Sequence, residues 1–186
     1  MRERVLLTLL VALAPASSAL AAKPTTVSGT IREVAGGPAG QSAVELKTDD
    51  GRTLSLRGRT PPEEDELRRL SGVKVRIEGM VDESVAGIVQ VERYEILDIG
   101  GGVIPRLGML AAIDLEGQRR LIFVDELGNA DLLPAGWTAK MSKNVGAKMW
   151  MVGARKGKSF QPARHAILRP NPKAPPVQEP EKKPAE

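Results

Sequence analysis

The chain has no cysteine and a single histidine among its 186 residues. Without thiols it has no disulfide, no cysteine nucleophile and no thiolate metal site. One histidine excludes a His-rich metal cluster, and any Ser-His-Asp arrangement has to use His165. No serine stands in a nucleophile-elbow sequence, so no catalytic residue, no metal ligand and no cofactor is assigned. Aromatics are scarce: two Trp, two Phe and one Tyr. That scarcity, with a net charge of only +4, argues against nucleic acid as a partner, because nucleic acid is held by stacked rings and dense positive charge. The apolar run from Val5 to Leu13 is broken by Thr8 and is shorter than the ~20 residues of a comfortable membrane span.

That run fits the core of a secretory signal peptide, residues 1–21. Arg2 and Arg4 precede it, Pro15 ends it, and Ala19-Leu20-Ala21 matches an A-x-A processing site. The expectation is a periplasmic or secreted protein with no membrane span after processing. At the other end, residues 170–186 are dominated by proline, lysine and glutamate and are expected to be disordered. Charge divides between the halves. Residues 27–99 carry 10 basic and 14 acidic side chains, whereas residues 106–169 carry 11 and 5. Such a division fits two units that attract each other, or two different partners.

What the chain does contain is a repeat. Gly72 to Gly79 reads Gly-Val-Lys-Val-Arg-Ile-Glu-Gly, and Gly146 to Gly153 reads Gly-Ala-Lys-Met-Trp-Met-Val-Gly. Each has apolar residues at alternate positions, the pattern of a strand with one buried face. The 74-residue spacing suits one small domain per copy. In the first copy, Val27 to Val34 reads as a strand carrying Gly29, after a lead-in from Lys23 to Thr26. Val44, Leu46 and Thr48 alternate next, Asp50-Gly51 turns the chain, and Leu54 and Leu56 follow. Thr60-Pro61-Pro62-Glu63 signals a helix start with a capping box, and Glu64, Asp65 and Glu66 favour its positive end. Val73 to Val81 and Ile88 to Asp98 complete five strands. The second copy repeats the order from Leu107, with Gly108 matching Gly29 and with Leu121 and Phe123 matching Val44 and Leu46. Its helix position, Pro134 to Val145, is weakened by Gly136 and Thr138.

Five strands with a helix between the third and fourth resemble the OB-fold, a Greek-key barrel, more than an SH3-like barrel. The first-strand glycine and the glycine-flanked fourth strand are similar to those of small secreted bacterial OB-fold domains. The resemblance implies an all-β architecture of two tandem OB-like barrels, at 27–99 and 106–169, joined by a Gly-rich linker at 99–105. It carries no active residues across.

Function therefore rests on the second copy's surface. Met149 and Met151 match the inward Val75 and Ile77, so Trp150 faces outward beside Lys148 and near Arg155, Lys156 and Lys158. An outward tryptophan among cations is a binding surface, and these five are the candidate ligand-binding residues. The expectation is a non-enzymatic envelope protein that holds a protein or glycan through barrel loops. Two alternatives come from other classes. A soft-metal chaperone would use Met109, Met141, Met149, Met151 and His165 with Trp137 and Trp150 nearby. A basic second barrel would bind a polyanion.

Overall fold

The computed structural model describes residues 23–35, 42–81, 87–157 and 159–171. The signal-peptide assignment, most of the C-terminal tail and Lys158 lie outside the described residues. The first barrel comprises β1 (Lys23–Val34), β2 (Ala43–Thr48), β3 (Thr53–Arg57), α1 (Pro61–Arg68), β4 (Lys74–Val81) and β5 (Ile88–Asp98). The second comprises β6 (Arg106–Leu115), β7 (Gln118–Asp125), β8 (Ala130–Leu132), α2 (Ala135–Met141) with a 3-10 turn at Ser142–Asn144, β9 (Lys148–Lys156) and β10 (Ser159–Arg169). Both sheets close, in the orders β1-β2-β3-β5-β4 and β10-β8-β7-β6-β9. All neighbours are antiparallel except β3 with β5 and β8 with β10. These are two OB-like barrels with matching topology.

The repeated glycines are explained by geometry. Gly72 and Gly146, which lead into β4 and β9, have φ of +83° and +87°, a region costly for any residue with a Cβ. A Cβ on Gly79 would strike the Gln90 backbone, and one on Gly153 the Gln161 backbone. The same strands carry the inward side chains Val75 and Ile77 in barrel 1 and Met149 and Met151 in barrel 2, all fully buried. The inward phase expected for the methionines is thus observed, and methionine here fills a core.

Two local expectations need correcting. Lys23 to Thr26 is no lead-in: β1 begins at Lys23 and pairs with β4 from Val81 onward. Thr60 is the extended N-cap of α1 but its side chain makes no cap bond. Instead Glu63 Oε2 accepts from Arg59 N and Glu64 Oε2 from Gly58 N, so the carboxylates clamp the chain before the cap.

The Gly-rich linker folds tightly. Asp98 Oδ1 accepts from Gly100 N at 2.7 Å and Val103 N at 3.0 Å, and Ile99 N donates to Val103 O. Backbone donors at Gly100 hold the Asp98 carboxyl below its usual range.

Candidate protein-binding face

Strand parity gives each barrel an inside and an outside, and barrel 2 has two apolar outsides. The first is covered by barrel 1. Leu107, Trp150, Val152, Ala166 and Leu168 leave barrel 2 and pack with a cluster that includes Leu67, Leu70 and Ile96. Trp150 is 9% exposed and Leu168 fully buried. The expectation that Trp150 faces solvent is therefore overturned. Its parity was as expected, but α1, about 80 residues earlier in the chain, lies against β10 and closes the seam.

The seam has a polar centre at Glu66, buried on α1 beside Leu67. Its Oε1 lies 2.7 Å from Lys148 Nζ and accepts from the Tyr94 hydroxyl, while Oε2 is 3.6 Å from Arg169 Nε. Lys148 Nζ also stands 4.6 Å from the Tyr94 ring centroid. Burial first, then the Glu66 charge, pushes the Tyr94 hydroxyl well above its usual range, so it stays a donor. Arg69 Nη1 donates to Ile167 O across the seam. Beside this centre lies a cleft of about 250 Å³, lined by equal numbers of acidic and basic side chains. The acidic first half and basic second half thus meet through Glu66, Lys148 and Arg169.

Barrel 2 also contains an ion cluster at the barrel end near β8. Asp131 is 3% exposed and pairs with both Arg106 and Arg155. Arg106 also holds Asp125 at 2.7 Å and lies 5.5 Å and 5.4 Å from the Phe123 and Phe160 ring centroids. Burial pushes the Asp131 carboxyl up, but the two guanidinium groups outweigh it and hold it low. The Arg106 hydrogen bond takes Asp125 down to about 2. Aligning the barrels on their registers places Arg106, Asp131 and Arg155 where barrel 1 has Val27, Leu54 and Val81. A charged triad replaces an apolar layer.

The five expected ligand residues therefore part company. Lys148 and Trp150 are in the seam, Arg155 neutralises Asp131, Lys156 is exposed at the end of β9, and Lys158 is not described. The residues named for soft metal do not form one surface. Met149, Met151 and Met141 are buried in the core of barrel 2, Met109 is half-exposed on the outside, and exposed His165 stands edge-on to Trp137 at 4.8 Å. Among the described residues no group of three or more His, Cys, Asp or Glu is placed to hold a metal ion. No described helix is long and apolar enough to cross a membrane.

The second apolar outside, missed in the sequence, is the face of β6, β7 and β8. Here the two barrels differ at every outward position compared. Where β1 has Thr30 and Arg32, β6 has Met109 and Ala111. Glu45 and Lys47 on β2 are answered by Ile122 and Val124 on β7. Thr53 and Ser55 on β3 are answered by Ala130 and Leu132 on β8. Met109 is 50% exposed, and Leu127 in the adjoining turn is 88% exposed. One barrel presents polar side chains to water and the other a contiguous apolar patch, the usual mark of an interaction surface.

No protein-family model and no curated protein matches the chain. A solved structure to which it is similar is a deletion mutant of the single-stranded DNA binding protein from Thermus aquaticus. The identity is 15%, covering 83% of this chain and 97% of that one, with a TM-score of 0.22. The expectation that excluded nucleic acid is corrected on this finding and is not carried further. At that TM-score the likeness supplies no argument for a DNA partner of this chain either.

Proposed function

We propose that this chain is an exported, non-enzymatic binding protein of the cell envelope that engages a protein through the outer face of barrel 2. The observation that carries the reading is the replacement of six polar outward positions of barrel 1 by apolar ones in barrel 2. Apolar area exposed on a small barrel costs solubility, and a partner that covers it recovers about 25 cal/mol per Å². The contact surface is sheet rather than loop, because the β6–β7 turn is only Glu116 and Gly117. A glycan calls for hydroxyl-bonding groups and an aromatic platform, and this face has neither among the described residues. The polyanion reading is weakened because Lys148, Arg106 and Arg155 are already paired with acids. Export rests on residues 1–21.

The test is binding with face variants. Envelope proteins captured by the wild-type chain are identified, purified and rebound. Ile122→Glu is expected to weaken that rebinding at least about tenfold, as a charge placed in an apolar contact. Glu45→Gln, at the matching place in barrel 1, leaves it unchanged. Equal rebinding by the wild-type chain and Ile122→Glu sinks the proposal.

A further inference from the structure

We propose that the cleft at the seam between the barrels binds a free α-amino acid with an apolar side chain, its ammonium group toward Glu126 and its carboxylate toward Arg169. The division between committed and uncommitted charges in the cleft carries the inference. Glu66 is committed, because Lys148 Nζ lies 2.7 Å from its Oε1 and the Tyr94 hydroxyl donates to the same oxygen. Glu63 is committed to Arg59 at 2.9 Å. Arg169 is not. Its Nε stands 3.6 Å from Glu66 Oε2, too far for a hydrogen bond, and its side chain is 41% exposed. Glu126 is exposed, and its carboxylate has no hydrogen bond or ion pair among the described residues. The backbone fixes its place, with Glu126 N donating to Leu107 O at 3.1 Å.

Both groups face one space. Glu126, Arg169 and Tyr94 all line the cleft. Beyond burial and Glu66, Glu126 and Arg169 also act on the Tyr94 hydroxyl, in opposite directions. An ion of one sign meets the wrong charge at one end of such a space, whereas a molecule carrying both signs satisfies the two. The Tyr94 hydroxyl adds to the negative end. Its proton goes to Glu66, so the lone pairs of its oxygen remain to accept from an ammonium group. Arg169 suits the other end, since a guanidinium takes a carboxylate through two parallel N–H donors.

Size narrows the ligand further. A volume of about 250 Å³ lies below the range of pockets that hold drug-sized molecules and suits a single amino acid. Leu67 and Val91 also line the cleft, so an apolar side chain has a surface to rest on. The register of β4 with β5 shifts here, between the pairs Glu78–Arg93 and Gly79–Val91, and such bulges recur beside binding sites. The cleft draws Leu67, Val91 and Tyr94 from barrel 1 and Glu126 and Arg169 from barrel 2, a junction of the kind that ligand sites favour.

Amide chemical-shift titration by NMR with L-leucine up to about 10 mM tests the site. The expected result is a saturable shift confined to residues around Tyr94, Glu126 and Arg169, with a Kd below about 1 mM. Leucinamide lacks the carboxylate and N-acetyl-leucine lacks the ammonium group, and each binds at least about tenfold more weakly. Arg169→Gln lowers the affinity for leucine to that for leucinamide and leaves leucinamide binding unchanged. Glu126→Gln does the same with respect to N-acetyl-leucine. A merely structural role for either side chain would lower all three affinities together. Neither side chain is buried, so both variants are expected to fold, which urea denaturation checks. Ile122→Glu on the outer face leaves leucine binding unchanged, so loss of this site and loss of the protein-binding face are separate results. No saturable shift below about 10 mM, equal binding of leucine and its two blocked forms, or variants that weaken all three ligands alike overturns the proposal.

Discussion

Replacing Asp131 by leucine should destabilise barrel 2, and replacing its two arginine partners as well should undo the damage. Asp131 is buried between Arg106 and Arg155. Breaking a buried ion pair costs about 3–5 kcal/mol when the remaining charge stays buried. Here the remaining charges are less confined. The Arg155 side chain is 61% exposed and can turn to water, and Arg106 keeps Asp125. The expected cost of Asp131→Leu is therefore about 2–3 kcal/mol. For a folded unit of this size that lowers the melting midpoint by about 4–12 °C. Barrel 1 shows what an uncharged layer looks like at the same place, namely Val27, Leu54 and Val81. The triple variant Arg106→Val, Asp131→Leu, Arg155→Val copies it. Well-packed apolar replacements of buried triads are neutral or more stable by about 1–4 kcal/mol. Urea denaturation of the wild type, the single and the triple variant measures both numbers. If the triple variant is as unstable as the single, the triad contributes net stability or the barrel alignment is wrong, and the reasoning fails.

Trp150→Ala and Glu66→Ala should each destabilise by about 3 kcal/mol or more, as a large seam truncation and as loss of the acid facing Lys148 and Tyr94, read from the same denaturation curves; a change within about 0.5 kcal/mol in Trp150→Ala would place that ring in solvent. Gly79→Ala should unfold barrel 1 at lower urea, because its Cβ meets the Gln90 backbone, whereas Gly136→Ala in α2, with open space around it, should not. Asp125 and Asp131 have folded-state values below their unfolded ones, so their stabilisation is present above the ordinary carboxylate range and is lost as pH falls, for Asp125 toward about 2. Melting midpoints from pH 7 to 2 should thus fall more steeply for the wild type than for the triple variant.

Much of the fold was legible because side-chain alternation is a local signal. Val75 and Ile77 gave the phase of β4, the glycine match carried it to β9, and Met149 and Met151 are inside as that phase requires. Trp150 shows where local reading ends. Parity told that it leaves its own barrel, but it packs in a cluster with Leu67 on α1 and Leu70 in the turn after it, far away in sequence. Glu66 carried a readable sign that capping chemistry obscured: it stands beside Leu67 and four residues before Leu70, among the buried positions of α1 and the turn that follows it. The outer face was readable too. Matching Leu121 and Phe123 to Val44 and Leu46 already sets Ile122 against Glu45 and Val124 against Lys47. The charged triad was not readable from one strand, because Arg106, Asp131 and Arg155 meet only once the barrel closes.

Barrel 2 gives one apolar outside to barrel 1 and leaves the other uncovered among the described residues. A chain without cysteine allows that division to be measured at single positions. Ala166 belongs to the covered side and Ala130 to the free side. Single variants Ala166→Cys and Ala130→Cys are labelled with a maleimide at low protein concentration. Labelling of the Ala130→Cys variant is expected to be at least about tenfold faster, the ratio set by a local opening cost of about 1.4 kcal/mol or more at the seam. Equal rates in the two variants would show that barrel 1 does not cover the first face, and would contradict the division of surfaces on which the proposed function stands.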